Sequence, residues 1–191
     1  FYGDVDHSNP LPFATNVFAF HVVPDLGAAA NFGTVNGIAG HPASGKLFIA
    51  DDAGVLSCSM TSNTLVTNIV GQSAPPNPPG AGPISQVVIN DNVLLAIGDS
   101  GGAKTLHFGS LDVSGNFTAR SGSPVTIGSI SSPQLVVHPV NRQVYIMGDT
   151  SSNIVKSSAA IDALAGETTF VAIALPAEAS SWNTKRIGIG P

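Results

Sequence analysis

Short apolar runs, each broken by small polar residues, recur along this chain at a regular distance. Leu47-Phe48-Ile49-Ala50 leads into Asp51-Asp52-Ala53-Gly54, and Leu94-Leu95-Ala96-Ile97 leads into Gly98-Asp99-Ser100-Gly101. Val144-Tyr145-Ile146-Met147 leads in the same way into Gly148-Asp149-Thr150-Ser151. Each copy holds four apolar residues, a small or acidic one, an aspartate and then small polar residues. Apolar runs of this length bounded by turn formers read as strands. Phe1-Tyr2-Gly3-Asp4 fits the end of the same pattern, so the aligned aspartates are Asp4, Asp52, Asp99 and Asp149, spaced 48, 47 and 50 residues apart.

A second feature keeps the same phase. Gly37-Ile38-Ala39-Gly40-His41-Pro42 precedes one copy, Leu135-Val136-Val137-His138-Pro139 precedes another, and Arg186-Ile187-Gly188-Ile189-Gly190-Pro191 has the form of a further start. The second period predicts strands at 36–40, 46–51, 55–60 and 65–70. The third predicts 86–90, 93–98, 104–111 and about 124–128, and the fourth 134–138, 143–148, 153–158 and 169–175, with a single helical turn at 161–165. The proline-rich segment 73–83 is excluded from both helix and strand, because proline fixes φ and removes a donor. It reads as an exposed loop between repeats rather than a linker between domains, since the period continues through it.

Four strands in about 48 residues is the size of one propeller blade. The predicted fold class is therefore all-β, a single β-propeller region over residues 1–191 with four-stranded antiparallel blades. The chain opens on the last residues of a second strand and finishes on a first strand. This predicts an incomplete piece of a larger propeller. A self-contained four-bladed ring, with the 186–190 strand closing beside Phe1-Tyr2, is the alternative.

Composition narrows the setting. Only 10% of residues are charged, against roughly 25% in an average soluble domain. The surface must then be built from Ser, Thr, Asn, Gly and Pro, a style that goes with extracellular or cell-surface proteins. A net charge of −5 with seven scattered Lys and Arg excludes nucleic acid as a partner, because phosphate neutralisation needs clustered cations. No apolar run reaches the ~18 residues of a membrane span. The lone Cys58 excludes an internal disulfide and reads as a small buried residue of an alternating strand.

The repeat also places the candidate chemistry. A propeller's first strand runs down the channel and its second returns, so Asp4, Asp52, Asp99 and Asp149 fall around the top rim, with Asp51 and Asp6 nearby. In one reading each carboxylate accepts backbone N–H bonds in the following turn. In the other, converging carboxylates hold a divalent cation such as calcium. His7, beside the Asp4 turn, is the candidate general base. Trp182, in a connecting loop that reaches the top face, is a candidate for stacking on a ligand or anchoring a partner. His41 and His138 belong to His-Pro turns on the bottom face and read as structural, whereas His21 and His107 lie within strands. No His/Cys spacing supports zinc, and no Gly-x-Ser-x-Gly elbow occurs.

The strings His41-Pro42-Ala43-Ser44-Gly45-Lys46-Leu47-Phe48-Ile49-Ala50-Asp51-Asp52-Ala53-Gly54 and Val136-Val137-His138-Pro139-Val140-Asn141-Arg142-Gln143-Val144-Tyr145-Ile146-Met147-Gly148-Asp149-Thr150-Ser151-Ser152-Asn153 resemble the blades of lactonase-like and YVTN-type propellers. The resemblance implies the propeller fold and, for the lactonase-like members, hydrolysis or cyclisation of lactones, sometimes with a metal at the channel mouth. It carries no family catalytic set onto numbered residues of this chain. Two functions stand as expectations. One is an extracellular binding or assembly module, which takes a protein or a small-molecule or carbohydrate ligand on its top face and has its remaining blades in a longer or partner chain. The other is a lactonase-like hydrolase or cyclase with a rim metal.

Overall fold

The computed structural model describes residues 2–4, 19–21, 34–52, 54–61, 64–70, 83–100, 102–148, 153–177 and 187. β1 (Tyr2–Asp4) pairs antiparallel with β2 (Ala19–His21). The second period folds into β3 (Gly37–His41), β4 (Lys46–Asp51), β5 (Gly54–Thr61) and β6 (Thr64–Val70), hydrogen-bonded antiparallel in chain order. The third gives β7 (Ile84–Asn90), β8 (Val93–Ser100) and β9 (Ala103–Leu111), and the fourth β12 (Gln134–Val137), β13 (Gln143–Met147), β14 (Asn153–Ala160) and β15 (Phe170–Ala174). The helical turn is a single 3-10 turn at Ile161–Ala163.

The outer edge of the third blade departs from expectation. Two short strands, β10 (Phe117–Ala119) and β11 (Val125–Gly128), both pair with β9 where one strand at about 124–128 was predicted. Asp112 causes the extra turn. Its Oδ1 accepts the N–H groups of Ser114 and Asn116, each at 2.8 Å, and its Oδ2 accepts Asn116 Nδ2–H at 2.8 Å. The chain doubles back there and drops Phe117 into the core. A three-residue strand carries too little periodicity to be read from sequence.

The blades stack side by side through their first strands, with β7 lying between β3 and β12. Phe48, Ala50, Ile84, Val87, Leu94 and Ala96 fill the space between the second and third blades. Leu95, Ile97, Leu106, Phe108, Leu135, Val144 and Ile146 fill the space between the third and fourth. Successive side chains of a strand point to opposite faces, so β8 feeds both cores. That is why its sequence is continuously apolar instead of alternating. β9 is different: Leu106 and Phe108 face the fourth blade, while Thr105 and His107, both buried, face the second. Thr105 Oγ1 lies 3.2 Å from His107 Nε2.

Candidate functional site

The starts of β3, β7 and β12 converge on an open cleft of about 400 Å³ at one end of the first strands. Register fixes which residues correspond. Gly37 lies opposite Ala50 of β4, Gln86 opposite Ile97 of β8, and Gln134 opposite Met147 of β13. Gln86 and Gln134 thus hold the same place in successive blades, and each bonds to the backbone of the next. Gln86 Oε1 accepts the Leu135 N–H at 2.6 Å, and its Nε2 donates to the Leu135 carbonyl at 3.3 Å. Gln134 Oε1 accepts the Ile187 N–H at 3.4 Å. In the second blade the place is taken by Gly37, and Asn36, one residue earlier, makes the link. Its Nδ2 donates to the Ile84 carbonyl at 2.9 Å and to Asp52 Oδ1 at 3.3 Å.

Side-chain amides therefore tie each first strand to the next around the cleft. They supply paired donors and acceptors without charge. Ser85, Ser132 and Pro133 add to the wall, and Ile38, an exposed apolar side chain, stands over it. Every described residue of the lining is uncharged.

Asp52 and Asp99 lie at the same end, because the ends of β4 and β8 pair with the starts of β3 and β7. Asp52 is exposed, and its Oδ2 accepts the Thr34 N–H at 3.1 Å. That bond, with further ones from the Thr34 and Asn36 side chains, holds its carboxyl below the usual carboxylate range. Asp99 Oδ2 pairs with Lys104 Nζ at 2.6 Å and its Oδ1 accepts the Gly102 N–H at 3.1 Å. Lys104 first, and the Gly102 amide after it, keep this carboxyl low as well. Asp51 is buried and accepts the Gly54 N–H at 2.8 Å, the same three-residue closure that Asp99 makes with Gly102. Asp52 and Asp99 would have to give up these donors to ligate a divalent cation. Among the described residues no group of three or more His, Cys, Asp or Glu comes together to hold a metal. Asp4 is placed as the last residue of β1. His7, Asp149 and Trp182 lie outside the described residues.

The opposite end carries the His-Pro turns. His41 is buried, with Nδ1 2.8 Å from Ser44 Oγ and Nε2 3.0 Å from Asn92 Oδ1 in the next blade. His138 Nδ1 accepts the N–H groups of Val140 and Asn141 at 3.1 and 3.3 Å. Arg142 closes its turn at φ 56° and pairs with Asp91 at 2.9 Å and Asp162 at 2.7 Å. His41, through Asn92, and Arg142, through Asp91, join neighbouring blades, whereas the His138 bonds stay within its own turn.

The cleft amides were not singled out by the repeat pattern, although Gln86 and Gln134 stand 48 residues apart and in phase with it. No protein-family model matches this sequence. No match is found among curated proteins. Among solved structures, a candidate 6-phosphogluconolactonase from Bacteroides fragilis superposes with a TM-score of 0.55 at 11% identity, over 72% of this chain and 38% of that one. A Lactobacillus plantarum protein superposes with a TM-score of 0.43 at 14% identity, over 80% of this chain and 59% of that one. The chain thus spans less than two thirds of the length of each. The first likeness extends to the fold alone, which is all-β, antiparallel and β-propeller-like.

Proposed function

We propose that this β-propeller-like chain is a binding module whose cleft at the channel mouth takes a neutral, hydrogen-bonding ligand of the carbohydrate class. The observation that carries the reading is the uncharged lining, in which amides, hydroxyls and backbone groups surround one exposed apolar side chain, Ile38. Sugars present alternating hydroxyl and C–H surface, and such a wall recognises them by geometry instead of charge. The scarcity of charged residues supports an extracellular or cell-surface setting for such a module.

The likeness to the candidate 6-phosphogluconolactonase favours a second reading, lactone hydrolysis. A phosphorylated lactone would want a cationic clamp, and the described lining supplies none. A lactonase built on this cleft would therefore act on neutral lactones.

Calorimetric titration with neutral oligosaccharides and neutral lactones, with chromatography of the recovered ligand, separates the two. The expected result is saturable binding with every ligand recovered unchanged. Ile38→Lys, a change at an exposed position, should leave the melting temperature unchanged and weaken binding by about tenfold, the equivalent of one well-made contact. Ring-opened lactone whose formation is lost in Ile38→Lys would overturn the binding reading in favour of hydrolysis.

A further inference from the structure

Asn116-Phe117-Thr118 is the single Asn-x-Ser/Thr triplet of this sequence. Such a triplet is the acceptor signature for N-linked glycosylation, and a bulky glycan needs a surface position. The loop at the end of β9 provides one. Asn116 and Thr118 are exposed, while Phe117 between them is buried in the core shared by the second and third blades. Successive side chains of an extended segment point to opposite sides. The buried ring therefore turns both polar side chains to solvent.

The turn that carries the triplet is pinned. The Asp112 N–H donates to the Asn116 carbonyl at 3.1 Å, and Asp112 Oδ1 accepts the Asn116 N–H at 2.8 Å. Gly115, buried with φ 74°, packs against the second blade. A β-carbon there would stand 2.8 Å from Ser44 Oγ and 2.9 Å from Lys46 Cδ. Asn116 Nδ2 donates one N–H to Asp112 Oδ2 at 2.8 Å. A primary amide carries a second N–H, so a sugar can take the place of one hydrogen while the other keeps Asp112.

The direction of β9 places the loop. β9 leaves the Ser100–Ala103 hairpin at the cleft end and finishes at Leu111. The loop therefore lies at the opposite end, beside Ser44 of the His41 turn. Among the described residues β10 pairs with β9 alone, which leaves its other edge unpaired. Natural sheets cover or interrupt such edges, and a glycan on the residue before β10 covers this one.

We infer that Asn116 is an N-glycosylation site whose glycan covers the outer edge of the third blade and leaves the cleft open. In the transfer, Asn116 Nδ2 forms a bond to the anomeric carbon of a lipid-linked oligosaccharide. The bond from that carbon to the donor's pyrophosphate oxygen breaks, and its electron pair leaves with the pyrophosphate. The displaced amide proton passes to a base of the transferring enzyme. Thr118 completes the acceptor triplet and is not itself modified. The inference rests on the extracellular setting proposed above, and not on what the cleft binds.

Two preparations test it, one recovered from the natural source and one secreted by cultured eukaryotic cells behind a cleavable leader. Peptide N-glycosidase in heavy-oxygen water should convert Asn116 to labelled aspartate in both. Thr118→Ala should abolish the modification in the secreted chain, whereas Thr118→Ser, which retains the hydroxyl, should keep it. Thr118 is exposed, so both variants should melt as the parent does. Release of the glycan should remove the protection of Ala119 from carbene labelling, while Ile38, at the cleft end, labels equally before and after. A secreted, folded chain unmodified at Asn116 would overturn the site itself. A bare Asn116 in the natural preparation, with the secreted one modified, would overturn the inference through its setting instead. Modification that survives Thr118→Ala would overturn the triplet as acceptor, and equal labelling of Ala119 before and after release would overturn the covering role.

Discussion

Phe108→Ala should lower the free energy of unfolding by about 3–5 kcal/mol, the range for emptying a well-packed aromatic site. Phe108 is fully buried on β9, opposite Leu95, in the core shared by the third and fourth blades. The surroundings have little freedom to collapse into the space it leaves. Its N–H donates to Ser123 Oγ at 2.9 Å and its carbonyl accepts the Arg120 N–H at 3.2 Å. β9 is held by β8 on one side and by β10 and β11 on the other. The same side chain supports two blades, so both should lose stability together. Urea unfolding, followed by a probe in each blade, should show one transition displaced to lower denaturant with its slope unchanged. The control is Val113→Ala at an exposed loop position, which should stay within about 0.5 kcal/mol. Separate transitions for the third and fourth blades would mean that their shared core does not couple them.

Acidification should destabilise the fold well before its carboxylates titrate, and His107 is the reason. Burial against the second blade pushes its pKa down from 6.5 to about 4. The unfolded chain, where the imidazole is solvated, takes up a proton near pH 6.5 while the folded chain does not. Stability contributed by this residue is therefore complete above pH 6.5 and falls as pH drops from 6.5 towards 4, by about 2–3 kcal/mol in all. Asp52, Asp99, Asp112 and Asp162 have depressed carboxyls and add a second loss at lower pH, as they take up protons below their unfolded values. His107→Gln should flatten the first limb and leave the second. A wild-type stability profile that is level between pH 7 and 5 would show that His107 is not desolvated as described.

The strands were largely legible because the repeat confines the apolar runs. Residues 46–51 were predicted and Lys46–Asp51 forms; 143–148 was predicted and Gln143–Met147 forms. Turn chemistry was legible where it used a characteristic residue. Gly45, with φ 63°, ends one His-Pro turn as a glycine should, whereas Arg142 ends the other at nearly the same φ and is held there by two carboxylates. Those partners come from Asp91 and Asp162, far away in sequence.

Equivalence of the aspartates was harder to read. Sequence alignment sets Asp52 beside Asp99, yet it is Asp51 that shares the bond to a glycine N–H three residues on. The β4–β5 hairpin closes at Asp51–Gly54, two positions earlier than the Ser100–Ala103 closure of β8–β9. The cleft amides were hidden for a related reason. Gln86 reaches Leu135 only after a register irregularity between Ile84 and Gln86, and such a displacement leaves no mark in the hydrophobic pattern. Glutamines that bind backbone across a blade boundary look, in sequence, like ordinary polar residues at a strand end.

The most direct test of the cleft as a neutral-ligand site watches its own amides. Side-chain NH₂ resonances of Asn36, Gln86 and Gln134 would be followed by NMR during titration with a neutral oligosaccharide, with the Ile38 methyl signals as a fourth probe. The account predicts that all four sets move together, saturate with one dissociation constant, and leave the ligand chemically unchanged. Binding that shifts resonances elsewhere while these four stay still would contradict it, as would consumption of a lactone in the same tube.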